Sequence, residues 1–144
     1  MKHIAAALML ALTGTCALAQ MTPAGLWRTI DDDGKTEKSQ VRISESGGVF
    51  TGVIEKIADP AKQDAKCDLC KDDRKDKPII GLQIIRGVKH DLDDKELWGG
   101  GEILDPNNGK TYRTRLKPVE GGRKLEMRGY IGFFYRTQTW LRVE

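Results

Sequence analysis

From Gly25 onward, apolar side chains recur at every second position in short runs, separated by clusters of Gly, Asp, Asn and Pro. Period two marks a strand with one buried face, because successive side chains point to opposite sides of a sheet. Residues 25–30 read as a first strand, closed by the turn residues Asp31-Asp32-Asp33-Gly34. Residues 40–44 alternate with Val41 and Ile43 on one face, and Ser46-Gly47-Gly48 turns the chain. In 49–57, Phe50, Gly52 and Ile54 oppose Val49, Thr51, Val53, Glu55 and Ile57. The alternation lapses over 58–78, a long charged connection with room for a helical turn at 61–65. It resumes over 79–86 and 95–104. Asp105-Pro106-Asn107-Asn108-Gly109 then spells a hairpin: proline presets φ, and Asn-Gly accepts the positive φ of a tight turn. The partner strand is 110–118, with Tyr112, Thr114 and Leu116 on one face. Glu120-Gly121-Gly122 turns into 124–129, and an aromatic and β-branched run, 133–143, ends the pattern.

About eight strands at roughly 8–12-residue spacing predict a single all-β antiparallel domain. An up-and-down barrel fits best, because consecutive strands are joined mostly by short turns; a β-sandwich is the alternative. Eight strands just suffice to close a barrel around packed side chains or one small ligand. Closure also removes the exposed sheet edges that invite aggregation.

The first residues follow a different rule. Met1-Lys2-His3 is a short basic start, residues 4–12 are unbroken apolar, and Ala17-Leu18-Ala19 puts small residues before Gln20. That order predicts a secretory signal peptide over 1–19, cleaved at Ala19-Gln20, and a mature domain over 20–144 that is periplasmic or secreted. The apolar stretch is too short for a permanent span, which needs about 20 residues. Cys16 lies one position too far from Leu12 for a good lipoprotein signal. No later segment is long and apolar enough to cross a bilayer as a helix.

Composition adds mainly exclusions. Loss of Lys2 with the leader lowers a formal net charge of +3 by one unit, and the remaining charge is spread along the chain. That is no nucleic-acid footprint. Lys71-Asp72-Asp73-Arg74-Lys75-Asp76-Lys77 alternates in sign and reads as a solvated loop. Of the three serines Ser39, Ser44 and Ser46, none sits in a nucleophile elbow, and His90 is the sole histidine after processing. The carboxylate pairs Asp31–Asp33 and Asp91–Asp94 lie in turn-like runs that do not complete a calcium loop. Gly99-Gly100-Gly101 lacks the Lys-Ser/Thr ending of a phosphate loop and suits a sharp strand bend. No catalytic constellation or cofactor motif is complete, so the expectation is a protein that is not an enzyme and carries no cofactor.

Cys67 and Cys70 are the thiols left after processing. In an oxidising compartment they read first as a disulfide fixing the 58–78 connection. A thiol-redox role is the next reading, though no helix start activates the first cysteine. Zinc would draw on Cys67, Cys70 and His90 with Asp91, Asp93 or Asp94, a set short of a recognised spacing.

Along the last run, Arg136, Gln138, Trp140 and Arg142 alternate to one face. With Arg113 and Arg115 from another strand they offer a polar lining for a small anionic or amphipathic molecule. The competing reading leaves the arginines in water and packs Trp140 at a barrel end.

Several segments together carry a resemblance. These are Gly25-Leu26-Trp27, Cys67-x-x-Cys70, Pro78-Ile79-Ile80-Gly81-Leu82, and Trp98-x-Gly100-x-x-Ile103-x-Asp105-Pro106-x-x-Gly109-Lys110-x-Tyr112. Leu125-x-x-Arg128-Gly129-Tyr130-Ile131-Gly132 and Gln138-Thr139-Trp140-x-Arg142-Val143 complete the set. Over nearly the whole mature chain this resembles an exported bacterial family known as domain of unknown function 2147. The resemblance implies an envelope location and a barrel-like domain, and no catalytic residues. A looser likeness is to calycin and lipocalin barrels, which place Gly-x-Trp on the first strand and a late arginine stacked on that tryptophan. It implies those parts for Gly25-Leu26-Trp27 and Arg142, with the guanidinium sealing one barrel end.

The expected function is therefore binding of a small amphipathic or anionic ligand in the barrel, near Trp27, Tyr112, Trp140, Arg142, Arg136 and Gln138. A structural or protein-interaction module of the envelope is the second reading, and a thiol or metal protein on Cys67 and Cys70 the third. The oligomeric state is left open.

Overall fold

Alternation over short runs commits each segment to a sheet, and the turns between them are tight enough that each strand pairs with the next. The computed structural model describes residues 21–144; the leader expected over 1–19, its cleavage site and Cys16 lie outside the described residues. The strands are β1 (Gly25–Ile30), β2 (Glu37–Ser46), β3 (Val49–Ile57), β4 (Gln83–His90), β5 (Trp98–Asp105), β6 (Lys110–Val119), β7 (Lys124–Ile131) and β8 (Phe134–Arg142). Each pairs antiparallel with its successor, and β8 returns to β1 to close an eight-stranded up-and-down barrel. The sandwich alternative falls with that closure.

Two strand limits differ from the sequence reading. Residues 79–82 belong to the long connection, and β4 starts at Gln83 and runs on to His90. Ile79 and Leu82 owe their burial to loop packing: Ile79 N donates to Ala65 O at 2.9 Å, and Lys66 and Pro78 form an isolated bridge. Residues 95–97 close a turn, with Leu97 N donating to Asp94 O, so β5 begins at Trp98. The helical turn expected at 61–65 is a short 3-10 turn, Pro60–Lys62, capped by Asp59.

Register shifts in four of the strand pairs shape the wall, and two of them bear on expectations from the sequence. Val41 pairs with Ile54 and Gln40 with Lys56, so Glu55 is an extra residue in β3. An extra residue reverses the side of everything after it, which carries Ile57 from the outer set toward the core. The register also shifts between Trp98 and Gly101, where Gly100 has φ 74°, consistent with the bend expected of the glycine triplet.

One end of the barrel is filled. The Trp27 indole is wholly buried, and its N–H donates to Pro23 O at 2.8 Å. Arg142, the register partner of Trp27, lays its guanidinium 4.2 Å from the indole centroid. The same guanidinium donates to Ala24 O at 2.8 Å, to Thr22 O at 3.1 Å and to Gly122 O. This matches the sealing role implied by the resemblance to lipocalin barrels. Beside it, Trp98 meets Phe50 edge-on at 6.3 Å and stacks on His90 at 4.5 Å. Among the described residues no helix is long and apolar enough to cross a membrane.

Candidate functional site

The opposite end is open because its inward positions carry side chains that do not fill it. A cavity of about 1000 Å³ occupies this half and reaches solvent between the β1–β2, β3–β4 and β5–β6 connections. Ile54, Ile57, Ile84, Ile103 and Met127 line its walls, together with Trp140. Gly129 leaves a gap in that wall, since a Cβ there would meet only the Tyr112 Cβ, at 3.8 Å. The volume lies at the upper end of the usual range for small-molecule sites.

A polar chain climbs one side of the cavity. The Trp140 indole N–H donates to Gln138 Oε1 at 3.0 Å, and Gln138 Nε2 donates to Asp32 Oδ1 at 2.9 Å. Arg136 Nη1 reaches the other oxygen of Asp32 at 3.0 Å. Every second residue of β8 thus faces inward, and the chain's far end is held by the turn after β1. On the neighbouring strands β1 and β2, Thr29 and Ser39 share a hydrogen bond at 2.8 Å, and on β6 the Tyr112 hydroxyl accepts from Asn108 Nδ2 at 2.9 Å. Buried hydroxyl, amide and indole groups are satisfied throughout the described residues. A ligand therefore meets a formed surface and has to insert into existing hydrogen bonds or bind below them.

Four of the six residues singled out from the sequence, Tyr112, Trp140, Arg136 and Gln138, line this cavity. Trp27 and Arg142 do not; they face inward at the filled end, where Arg142 is tied to the backbone around the chain termini. Arg113 and Arg115 are not part of the lining either. They alternate with the inward Tyr112 and Thr114, and their guanidinium groups lie 5.8 and 5.6 Å from the Tyr130 ring on the outer surface. The sequence reading missed Asp32, which looks like one more turn aspartate yet holds side chains over a hundred positions away.

The long connection between β3 and β4 forms part of the cavity's rim through Asp59, Lys62, Ala65, Lys66 and Asp68. Cys67 and Cys70 are joined in a disulfide with Cα atoms 5.3 Å apart, within the ordinary range. Both sulfurs are thus engaged, and His90 ends β4 at the filled end of the barrel, so the proposed zinc ligands lie at opposite ends. His90 is also a strand residue, exposed, with its Nε2 2.7 Å from Lys95 O, although it falls between the strands that the sequence predicts over 79–86 and 95–104. No cluster of three or more His, Cys, Asp or Glu stands together for a metal among the described residues.

Arg74 anchors the connection, and the charge run around it is only partly solvated. Its guanidinium is 1% exposed, donates to Gln83 O at 2.9 Å and grips Asp72 with Nη2 at 2.6 Å. Those hydrogen bonds hold the Asp72 carboxyl down at about 2. Arg86 clasps Asp73 at 3.0 and 2.9 Å and lowers that carboxyl as well. At the rim, Gly109 has φ 72°, and any Cβ there would collide with the Leu69 carbonyl. This glycine lets the β5–β6 hairpin pack directly on the disulfide loop.

The profile of a bacterial family described as "Uncharacterized protein conserved in bacteria (DUF2147)" matches residues 25–142. No curated protein matches the sequence. Among solved structures, the chain is similar to protein HP1028 from the human pathogen Helicobacter pylori, which is described as belonging to the lipocalin family. The two share 22% identity and a TM-score of 0.72, over 86% of this chain and 84% of that one. At that identity the likeness shows the fold: a lipocalin-like barrel.

Proposed function

The chain belongs to the DUF2147 family, and from that premise we propose that it is an exported binding protein holding one small amphipathic molecule in the open half of its barrel. One observation carries the reading: a barrel plugged at one end by Trp27 and Arg142 keeps a cavity of about 1000 Å³ at the other. An apolar ligand body would rest against Trp140, Met127 and the isoleucines, with its polar group level with Gln138, Asp32 and Tyr112. Nothing in that lining makes a nucleophile–base pair, so binding rather than catalysis is the chemistry it favours. Export follows from the leader pattern over 1–19 and suits the disulfide.

Charge at the rim bears on the ligand's head. The cavity is bordered by Asp31, Asp32, Glu37, Asp59, Asp68 and Asp105 against Lys38, Lys62, Lys66 and Arg136. Arg136 is already paired with Asp32. Carboxylates outnumber free cations, so a neutral or cationic head group fits better than the anionic one. Two dyes with the same ring system make the test: neutral N-phenyl-naphthylamine and its anionic relative anilinonaphthalene sulfonate. The neutral dye is expected to bind with one site per chain and to outcompete the sulfonate. Tighter binding of the sulfonate would instead favour an anion site, and binding of neither would remove the cavity reading.

A further inference from the structure

We infer that the tip of the β7–β8 hairpin is a membrane-docking element that holds the outer wall of β6–β8 against a bilayer bearing anionic headgroups. Ile131 pairs with Phe134, leaving Gly132 and Phe133 as a two-residue turn, with Gly132 at φ 58°. Phe133 is 102% exposed and Phe134 80%, and Ile131 and Tyr135 beside them are exposed as well. Large apolar side chains gathered on a protruding turn have no role in holding this barrel together. Such clusters mark a surface that is covered in use.

What covers it follows from the layers beneath. Directly below the tip, Tyr130 and Tyr135 pair on the outer wall at 5.9 Å. Arg128 stacks on Tyr135 at 4.0 Å, and Arg113 and Arg115 flank Tyr130. None of these three arginines is in an ion pair with another described residue. Phenylalanine first, tyrosine next and unpaired arginine last is the order of chemistry met on leaving a bilayer: acyl chains, the interfacial zone, then phosphates. A protein partner would need a pocket for a convex, two-residue tip and a separate acidic face for the arginines; an anionic bilayer offers both at once. Ile131 belongs to the tip and also lines the cavity, so docking by this hairpin brings the β7–β8 edge of the cavity mouth beside the lipid, while the rim carboxylates stay on the other connections. The inference stands on the outer surface alone and holds whatever the cavity contains.

The test is vesicle co-sedimentation of protein produced from its full reading frame and purified as the host delivers it. Vesicles of phosphatidylcholine are compared with vesicles that also contain phosphatidylglycerol. Partitioning is expected to rise with phosphatidylglycerol and fall with salt. The double variant Phe133→Asp/Phe134→Asp is expected to lose at least about tenfold in partitioning, from lost apolar insertion. Replacing Arg113, Arg115 and Arg128 by Gln one at a time is expected to cost about fivefold each at low salt. As an independent report, Phe133→Trp should give a blue-shifted emission that brominated lipid quenches. Full vesicle binding by the aspartate variant, or binding indifferent to phosphatidylglycerol, would overturn the inference. So would a dimer abolished by the same aspartates in a protein that ignores vesicles, which would assign the tip to self-association.

Discussion

The two ends of this barrel are built from the same alternation and do opposite things. At the filled end the inward positions are Trp27, Trp98, Phe50 and Leu116, and Arg142 finishes the plug by donating to Thr22, Ala24 and Gly122 carbonyls. Its charge is satisfied by backbone and by an indole face, and burial pulls its pKa below the ordinary guanidinium value. At the open end the inward positions are isoleucine, methionine, glycine and polar side chains bonded to each other, and about 1000 Å³ is left between them. The lesson is that one layer of large side chains stabilises the barrel, and a barrel so stabilised tolerates an unfilled half. Stability and binding are therefore separable in this molecule, and substitutions at the two ends should act on different measurements.

Trp27→Ala attacks the filled end hardest. Removing a fully buried indole leaves a cavity and strips the face that Arg142 covers, for a loss of about 3–5 kcal/mol in urea denaturation. A loss under about 1 kcal/mol would mean that the plug does not carry the fold. Gly129→Phe is the counterpart at the open end. Its side chain projects into the cavity past Tyr112, so affinity for the neutral dye should drop about a hundredfold, roughly 2.7 kcal/mol, at a nearly unchanged denaturation midpoint. Unaltered dye binding would place the ligand elsewhere. Reduction of the Cys67–Cys70 disulfide should cost about 2 kcal/mol at most, because the closed loop is short. Hydrogen exchange should show that loss in the β3–β4 connection and not in the strands. Gln138→Leu leaves the Trp140 indole without its acceptor and leaves Asp32 held by Arg136 alone. About 1–2 kcal/mol of stability should go with it.

The smallest expected effect is a pH dependence of the β3–β4 connection. Asp72 titrates at about 2 in the folded chain against 3.8 for a free side chain, mainly through its hydrogen bonds with Arg74. A depressed carboxyl stabilises the fold above its unfolded pKa and stops doing so as pH falls through the folded value. The clamp should therefore stay intact down to about pH 4 and be lost between there and about 2. Because Asp72 is partly exposed, solvent screens the pair and the change in global stability should be slight. An NMR titration of the Asp72 carboxyl gives the answer, and a midpoint near 3.8 would show that Arg74 does not hold it.

Much of the barrel is legible in the sequence because a short period-two run between turn residues has few alternatives. Where the reading failed, the failures have separate physical causes. Ile79 and Leu82 carry the same apolar signal whether a sheet or a folded-back loop buries them, so the sequence pattern starts β4 early. Glu55 inserts one residue into β3, and nothing local announces a bulge, so strict alternation puts Ile57 on the wrong side. Charge alone groups Arg113 and Arg115 with β8, although their alternation with Tyr112 and Thr114 puts them outside. Trp27 and Arg142 share the inward face with Trp140 and Gln138, and face says nothing about height. Height depends on the stagger of eight strands, a property of the closed barrel that no single run encodes. Asp32 was unreadable for a related reason: its partners Arg136 and Gln138 come close only when β8 closes on β1.

Native mass spectrometry of protein produced from its full reading frame bears most directly on a plugged barrel with an occupied open half. The account predicts a single small-molecule adduct, one per chain, that is present in the parent protein and absent from Gly129→Phe. An adduct that survives that substitution, or a bare parent protein that also ignores the neutral dye, would contradict it.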